Sequence, residues 1–329
     1  MPTPQLPAPD PTNPAHATAL NDPTEPSLWL PPLARLHEAG CSCPLHARRR
    51  ANGWLLAGGA GAVLPALASA QDGVRADVGR ESRFSSLVSA EDVEGAAGQQ
   101  YGQLKREAAA KGLLAPEGHP QLVRLRAISQ RIIPFAGAWN RRAAQWRWEV
   151  ILIHKKDLNA FCMPGGKIAY FDGLLARLQL SDDEVAMIMG HEMAHALREH
   201  ARERMGKTAA TRVGAGLISS LLGLGNFGDA ALNIGAQLLT LKFSREDESE
   251  ADLVGLELAA RAGYDPRAGI TLWQKMMKAA EGAPPEFIST HPAGPTRVKD
   301  IETALPKVQP LYAAAPRPPK TYGPPAATR

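Results

Sequence analysis

The stretch SDDEVAMIMGHEMAHALREH, residues 181–200, constrains the fold more than any other part of the chain. Ser181 can cap a helix, and Glu184 three residues on completes a capping box. Asp182 and Asp183 suit the positive end of the helix dipole. Val185, Ile188 and Met189 form an apolar face that runs into His191, Glu192 and His195. Gly206 is the expected stop. Apolar neighbours on this scale mark a largely buried helix. Imidazoles and carboxylates on a buried helix must find polar partners. The rest of the chain therefore has to fold such groups onto it.

Residues four apart lie on one helix face, one turn apart, so His191 and His195 can point two imidazoles at one ion. Glu192 is rotated from His191 by about 100°. It can stay near an ion without ligating it and hold a water there. That is the logic of HExxH, in which two histidines bind zinc and the glutamate takes a proton from water. The competing interpretation is a solvated helix face with a few polar residues. A chain of this length matches HExxH by chance on the order of one time in a hundred. A third ligand is therefore needed, because catalytic zinc usually takes three from the protein. SREDESEAD, residues 244–252, is its source. Glu248 and Asp252 share one helix face, and Glu246 and Glu250 share another. Spacing does not choose between the pairs. His200, nine residues past His191, is expected to have turned to solvent. His119 and His154 are expected to be structural or exposed.

Taken together, HEMAH and ESEAD (an ExxxD motif) resemble the HtpX-like and CAAX-prenyl-protease-like zinc peptidases, family M48. NAFCMPGG, residues 159–166, is similar to that family's NAFxxPGG segment. STHPAGPTRVKDI, residues 289–301, is similar to its STHPxxxxRI segment, with Val298 in place of isoleucine. The resemblance implies an α+β fold: a mostly helical, zincin-type (gluzincin) metallopeptidase with a small β-sheet and an active-site helix. It implies one Zn2+ per chain on His191, His195 and Glu248, with Glu192 as general base. Asp252 would hold a ligand histidine. His291 and Arg297 would lie near the cleft and are the candidates for stabilising the oxyanion. The NAFCM strand would be a sheet edge beside the cleft. There Asn159, Ala160 and Phe161 could pair with an extended peptide substrate. The chain looks most like the exported, soluble bacterial branch of the family.

Other segments set the domain plan. Residues 1–47 are proline-rich without apolar periodicity and are expected to be a disordered leader. Arg48, Arg49 and Arg50 precede an apolar run, residues 54–70, that ends Ala68-Ser69-Ala70. Residues 48–70 thus read as an export signal, or an N-terminal anchor if uncleaved. The run is shorter than the roughly 20 residues that span a membrane, which favours cleavage after Ala70. Periplasmic or cell-envelope localisation follows, with membrane association through the segment if it stays uncleaved. Cys41 and Cys43 lie in the leader, and Cys162 is expected to be a small buried apolar residue. The metallopeptidase domain is placed at 71–312 and a disordered proline-rich tail at 313–329.

Within the domain, residues 91–112 are expected to be helical, and so is the segment with Leu122, Leu125, Ile128 and Ile132 at helical spacing. WRWEVILI, residues 146–153, is a strand, and NAFCM and KIAYF are two short ones around a PGG turn. Short helices are expected at 173–179 and again from Asp265-Pro266, and a longer one over 244–263. Residues 213–241, rich in Gly, Leu and Ala, are either a flexible helical flap or a core helix pair.

Net charge is only +4, with no basic tract outside the leader, so no nucleic-acid partner is called for. Two function classes remain. One is a zinc endopeptidase that cuts unfolded or damaged envelope proteins. The other is a zinc-stabilised chaperone-like or binding module with little turnover. The intact Glu192 favours the first.

Overall fold

The computed structural model describes residues 72–213, 234, 238, 241–281, 286–291 and 295–326. The leader, the export signal and, apart from isolated positions, the 213–241 segment lie outside these residues. Helix α1 (Ala90–Ala110) starts where the Ser89 hydroxyl accepts the Asp92 N–H. Helix α2 (Pro120–Ile132) has proline in its first turn, where a missing N–H costs nothing. Strands β1 (Glu149–Ile153), β2 (Ala160–Met163) and β3 (Lys167–Phe171) form one sheet in the order β1-β3-β2. β1 pairs parallel to β3, with Val150 opposite Ile168. β2 pairs antiparallel to β3 and forms the sheet's edge. Gly165 and Gly166 close the β2–β3 hairpin with φ of 82° and 76°, a left-handed conformation that glycine adopts without penalty. A Cβ on Gly166 would also strike the Trp148 ring.

Alternation along the strands explains why so small a sheet is buried on both faces. Val150, Leu152, Ile168 and Tyr170 point into the main core with Leu122, Leu125 and Ile128 of α2. Ile151, Ile153, Ala169 and Phe171 point the other way, against Ala97 and Tyr101 of α1. The Tyr101 hydroxyl donates to the Ile168 carbonyl at 2.8 Å, which ties α1 to the sheet. β1 begins three residues later than expected, at Glu149. Trp146 and Trp148 pack ring against ring instead, with centroids 5.3 Å apart.

After α3 (Asp172–Arg177) comes α4 (Asp182–Leu197), the helix that carries HEMAH, opened by the Ser181–Glu184 capping box. It stops at Leu197 rather than at Gly206. Arg198 is its C-cap, and Glu199 turns the chain through a left-handed φ of 58° into α5 (His200–Val213). Gly206 lies inside α5, where its missing side chain lets the Phe84 carbonyl approach. Helix α6 (Arg245–Arg261) is capped by Ser244 with a second capping box to Asp247. It crosses α4 so closely that a Cβ on Gly190 would lie 2.5 Å from the Gly255 carbonyl oxygen. Around this crossing Ile188, Met189, Val254 and Leu258 are buried, each stabilising the fold by about 1.5–3 kcal/mol. Helix α7 (Ala268–Ala279) starts after the Asp265-Pro266 turn, and α8 (Glu286–Thr290) and α9 (Pro295–Ala314) follow it among the described residues.

The expectation of a disordered tail is corrected up to Ala326. Beyond α9 the chain runs back along the body, where the Pro316 carbonyl accepts from Arg131. The Tyr322 and Gly323 N–H groups donate to Asp182 at 2.7 and 3.1 Å. Asp182 also takes a 2.6 Å bond from Arg124, which is fully buried. Backbone groups, both carbonyl acceptors and N–H donors, make these contacts of the tail, so no apolar pattern announces them. Among the described residues, no helix is long and apolar enough to cross a membrane.

Candidate metal centre

Four side chains from three places in the chain converge above α4. His191 and His195 lie one turn apart on α4, with Nε2 atoms 3.1 Å from each other. Glu248, in the first turn of α6, sets its carboxylate 3.5 Å from each of those nitrogens. His291, just past α8, brings Nδ1 to 3.3 Å from His191 Nε2 and 2.9 Å from Glu248. Ligand atoms of all four lie within 4.8 Å of one another, and all four residues are buried.

Two Nε2 lone pairs cannot face each other at this distance without a cation or a proton between them. Burial and the neighbouring imidazoles drive the His195 pKa well below its ordinary value, which keeps its ring neutral, the form that ligates a metal. Glu192 Oε1 is buried without a hydrogen-bond partner. The donor set and this orphaned oxygen fit a divalent transition metal in an imidazole–carboxylate site.

Electrostatics sort the carboxylates. Burial lifts the Glu192 pKa above the ordinary carboxylate value, against the pull of His291, His191 and the Cys162 backbone N–H. Burial also works against ionisation of Glu248, but His291, His191 and Arg297 outweigh it and leave its pKa lowered. The same contest at Asp252 is won by Arg297, which holds the acid at about 2. His291 stays easier to protonate than usual despite its burial, because Glu192 and Glu248 flank it.

Behind the histidines sits a second set of contacts. Asp252, one turn after Glu248, lies 3.1 Å from His191 Nδ1. Arg297 clamps Asp252 with bonds of 2.6 and 2.7 Å and pairs with Glu248 at 2.6 Å. Its guanidinium lies 3.6 Å over the Trp273 ring, a cation–π contact. Arg297 is therefore turned onto Asp252 and Glu248, behind the site, and does not face the cleft as the sequence suggests. His291 does face the cleft. With Asn159, Ala160 and Phe161 it lines the opening in front of Glu192 and His195.

The structure separates the two acidic pairs. Glu248 and Asp252 face the histidines, Glu246 is exposed, and Glu250 pairs with Arg198 on the far side. Two residues near the site escape sequence reasoning. His200, expected in solvent, is 2% exposed, with Nδ1 2.9 Å from His195 Nδ1. Phe243 stacks on the His195 ring at 4.0 Å between centroids. Neither position carries a local signal, since both depend on how chain segments turn outside regular periodicity.

Comparison with known proteins gives the context. Residues 121–305, more than half of the chain, match the model of Peptidase family M48. The mitochondrial metalloendopeptidase OMA1 of Schizosaccharomyces pombe is 36% identical over 200 residues, covering 60% of this chain and 56% of the relative. The protein of the same name from Arabidopsis thaliana is 40% identical over 157 residues, 48% of this chain and 31% of the relative. The metalloprotease LoiP of Escherichia coli is 32% identical over 154 residues, 46% of this chain and 60% of the relative. The matched part thus spans about a third to three fifths of the length of these relatives.

Proposed function

The chain belongs to peptidase family M48, and from that premise we propose that it is a zinc-dependent metalloendopeptidase acting on unfolded or damaged proteins of the cell envelope. His191, His195 and Glu248 hold the zinc. Support comes chiefly from one observation: two Nε2 atoms and one carboxylate meet within 3.5 Å beside a buried glutamate oxygen that has no hydrogen-bond partner. An ion held there would supply the Lewis acidity toward the water and the scissile carbonyl. Glu192 takes the proton of the attacking water and passes it to the leaving amine. Burial raises its pKa above the ordinary carboxylate value, which makes it a stronger base for that proton. His291, beside both Glu192 and the cleft, donates to the carbonyl oxygen as charge develops there. Asp252 orients His191, and Arg297 holds Asp252 in place.

Substrate is taken along β2, the edge strand of the sheet among the described residues, where Asn159, Ala160 and Phe161 offer backbone groups to an extended chain. Backbone pairing tolerates many side chains, which suits unfolded proteins. The cationic start and short apolar run of residues 48–70 support export to the envelope, with membrane attachment if that segment is retained. The similar proteins of Schizosaccharomyces pombe and Escherichia coli are a metalloendopeptidase and a metalloprotease, which supports the activity.

The test is cleavage of casein and other unfolded proteins by wild type of verified zinc content, by Glu192→Gln and by chelator-treated protein. Glu192→Gln is expected to keep its zinc and lose about 10²–10⁴-fold in rate. If wild type cuts no faster than Glu192→Gln on several such substrates, the peptidase reading fails and the binding-module reading stands. Zinc content of Glu248→Ala and Glu250→Ala tests the ligand set. Loss only in the second would replace Glu248.

A further inference from the structure

His200 takes no part in the chemistry above, yet it is buried against a metal-ligand candidate. Had α4 continued, five residues would have carried it about 140° round the axis from His195. Instead α4 ends at Leu197, and the turn at Glu199 brings the His200 ring back. That turn puts a non-glycine residue at φ 58°, a conformation that persists only where its surroundings enforce it. Arg198, the cap of α4, anchors the turn through the Gly79 carbonyl at 2.6 Å and through Glu250. The His195 and His200 rings then meet edge to face, with Nδ1 atoms 2.9 Å apart.

Two facing ring nitrogens at that distance share one proton, so one donates and the other accepts. A metal on His195 Nε2 requires the lone pair there, which puts the His195 proton on Nδ1. His200 Nδ1 is then the acceptor. The His200 proton must sit on Nε2, an atom that is buried, has no hydrogen-bond partner and looks across 3.9 Å to Glu250. Ligand histidines generally hand their second N–H to a carboxylate, carbonyl or water. His191 follows that rule through Asp252. For His195 the partner is another imidazole.

We propose that His200 is a positioning residue for the zinc site. Its Nδ1 lone pair accepts the Nδ1–H of His195, fixes that ring's tautomer and angle, and so presents Nε2 to the metal. This rests on the reading of His195 as a zinc ligand.

The test measures zinc binding directly on the full-length chain, by competition with a chromophoric chelator and without any substrate. His200→Ala is expected to weaken zinc binding about 10- to 100-fold. His200→Asn, whose amide oxygen can take the place of Nδ1, is expected to recover most of that loss. A purely space-filling role predicts no such rescue. Zinc binding in His200→Ala equal to wild type, or in His200→Asn as weak as in His200→Ala, overturns the proposal. Nitrogen-15 imidazole spectra of the zinc-loaded wild type need no variant to fold. They should show the His195 proton on Nδ1 and the His200 proton on Nε2, and a proton on His200 Nδ1 also overturns the proposal. A wild type that binds no zinc sinks the metal reading itself, which is a separate result.

Discussion

Replacing Gly255 by alanine should damage the fold and the metal site together. A Cβ at Gly255 would sit 2.6 Å from the backbone nitrogen of His191 and 2.8 Å from the Gly190 carbonyl carbon. Both are backbone atoms, so no side chain can swing aside. Ordinary contact starts at 3.4 Å, and α4 and α6 must part by about 0.8 Å to reach it. Such overpacking costs about 1–3 kcal/mol. At about 2–4 °C per kcal/mol for a body of this size, Tm falls by roughly 2–12 °C. Glu248 and Asp252 ride on the same helix, so the same displacement carries them away from His191. Metal–ligand distances tolerate only about 0.2 Å, and zinc affinity should drop by about tenfold or more. Calorimetry of the chelated protein reads the first effect, and chelator competition reads the second. Gly98→Ala is the control, because its Cβ meets nothing within 4 Å in the middle of α1. It should gain about 0.5–1 kcal/mol from helix propensity. A Gly255→Ala protein with unchanged Tm and unchanged zinc affinity would refute the view that this glycine contact sets the α4–α6 spacing.

Arg297→Ala strips Asp252 and Glu248 of a buried counter-charge, and unfolding in urea should show a loss of about 3–5 kcal/mol with weaker zinc retention. Ser244→Ala removes the cap of the helix that carries Glu248, and the same assay should register about 0.5–2 kcal/mol. Truncation after Ala315 withdraws the Tyr322 and Gly323 donors from the buried Asp182 carboxylate. Calorimetry should report a loss of about 1.5–3 kcal/mol, whereas an idle tail would leave Tm unchanged.

Much of the architecture is legible locally. Both capping boxes span four residues, so Ser181 with Glu184 and Ser244 with Asp247 announce the starts of α4 and α6 without tertiary help. The hairpin follows from Gly165 and Gly166, which alone accept the left-handed turn cheaply. The nearly unbroken apolar runs IAYF and VILI match a sheet covered on both faces. Where sequence reasoning stops, the missing information is always a long-range or irregular contact. The end of α4 is one case: Gly206 looks like a stop, but Arg198 finds its partners at Gly79 and Glu250 and ends the helix two turns earlier. The proline-rich tail is another, docked by backbone N–H groups that composition does not reveal.

What the sequence by itself determined is the spacing of His191, Glu192 and His195 on one capped helix, because helical periodicity is a property of the local chain. Which acidic pair meets those histidines was beyond it. Glu248 and Glu250 are two residues apart on the same helix, and only the rotation of α6 about its axis decides which one turns inward. That rotation comes from the contact of Gly190 with Gly255, two residues 65 positions apart with no side chain to advertise them. The fate of His200 was likewise decided in three dimensions, by one left-handed residue whose strain the surrounding contacts outweigh.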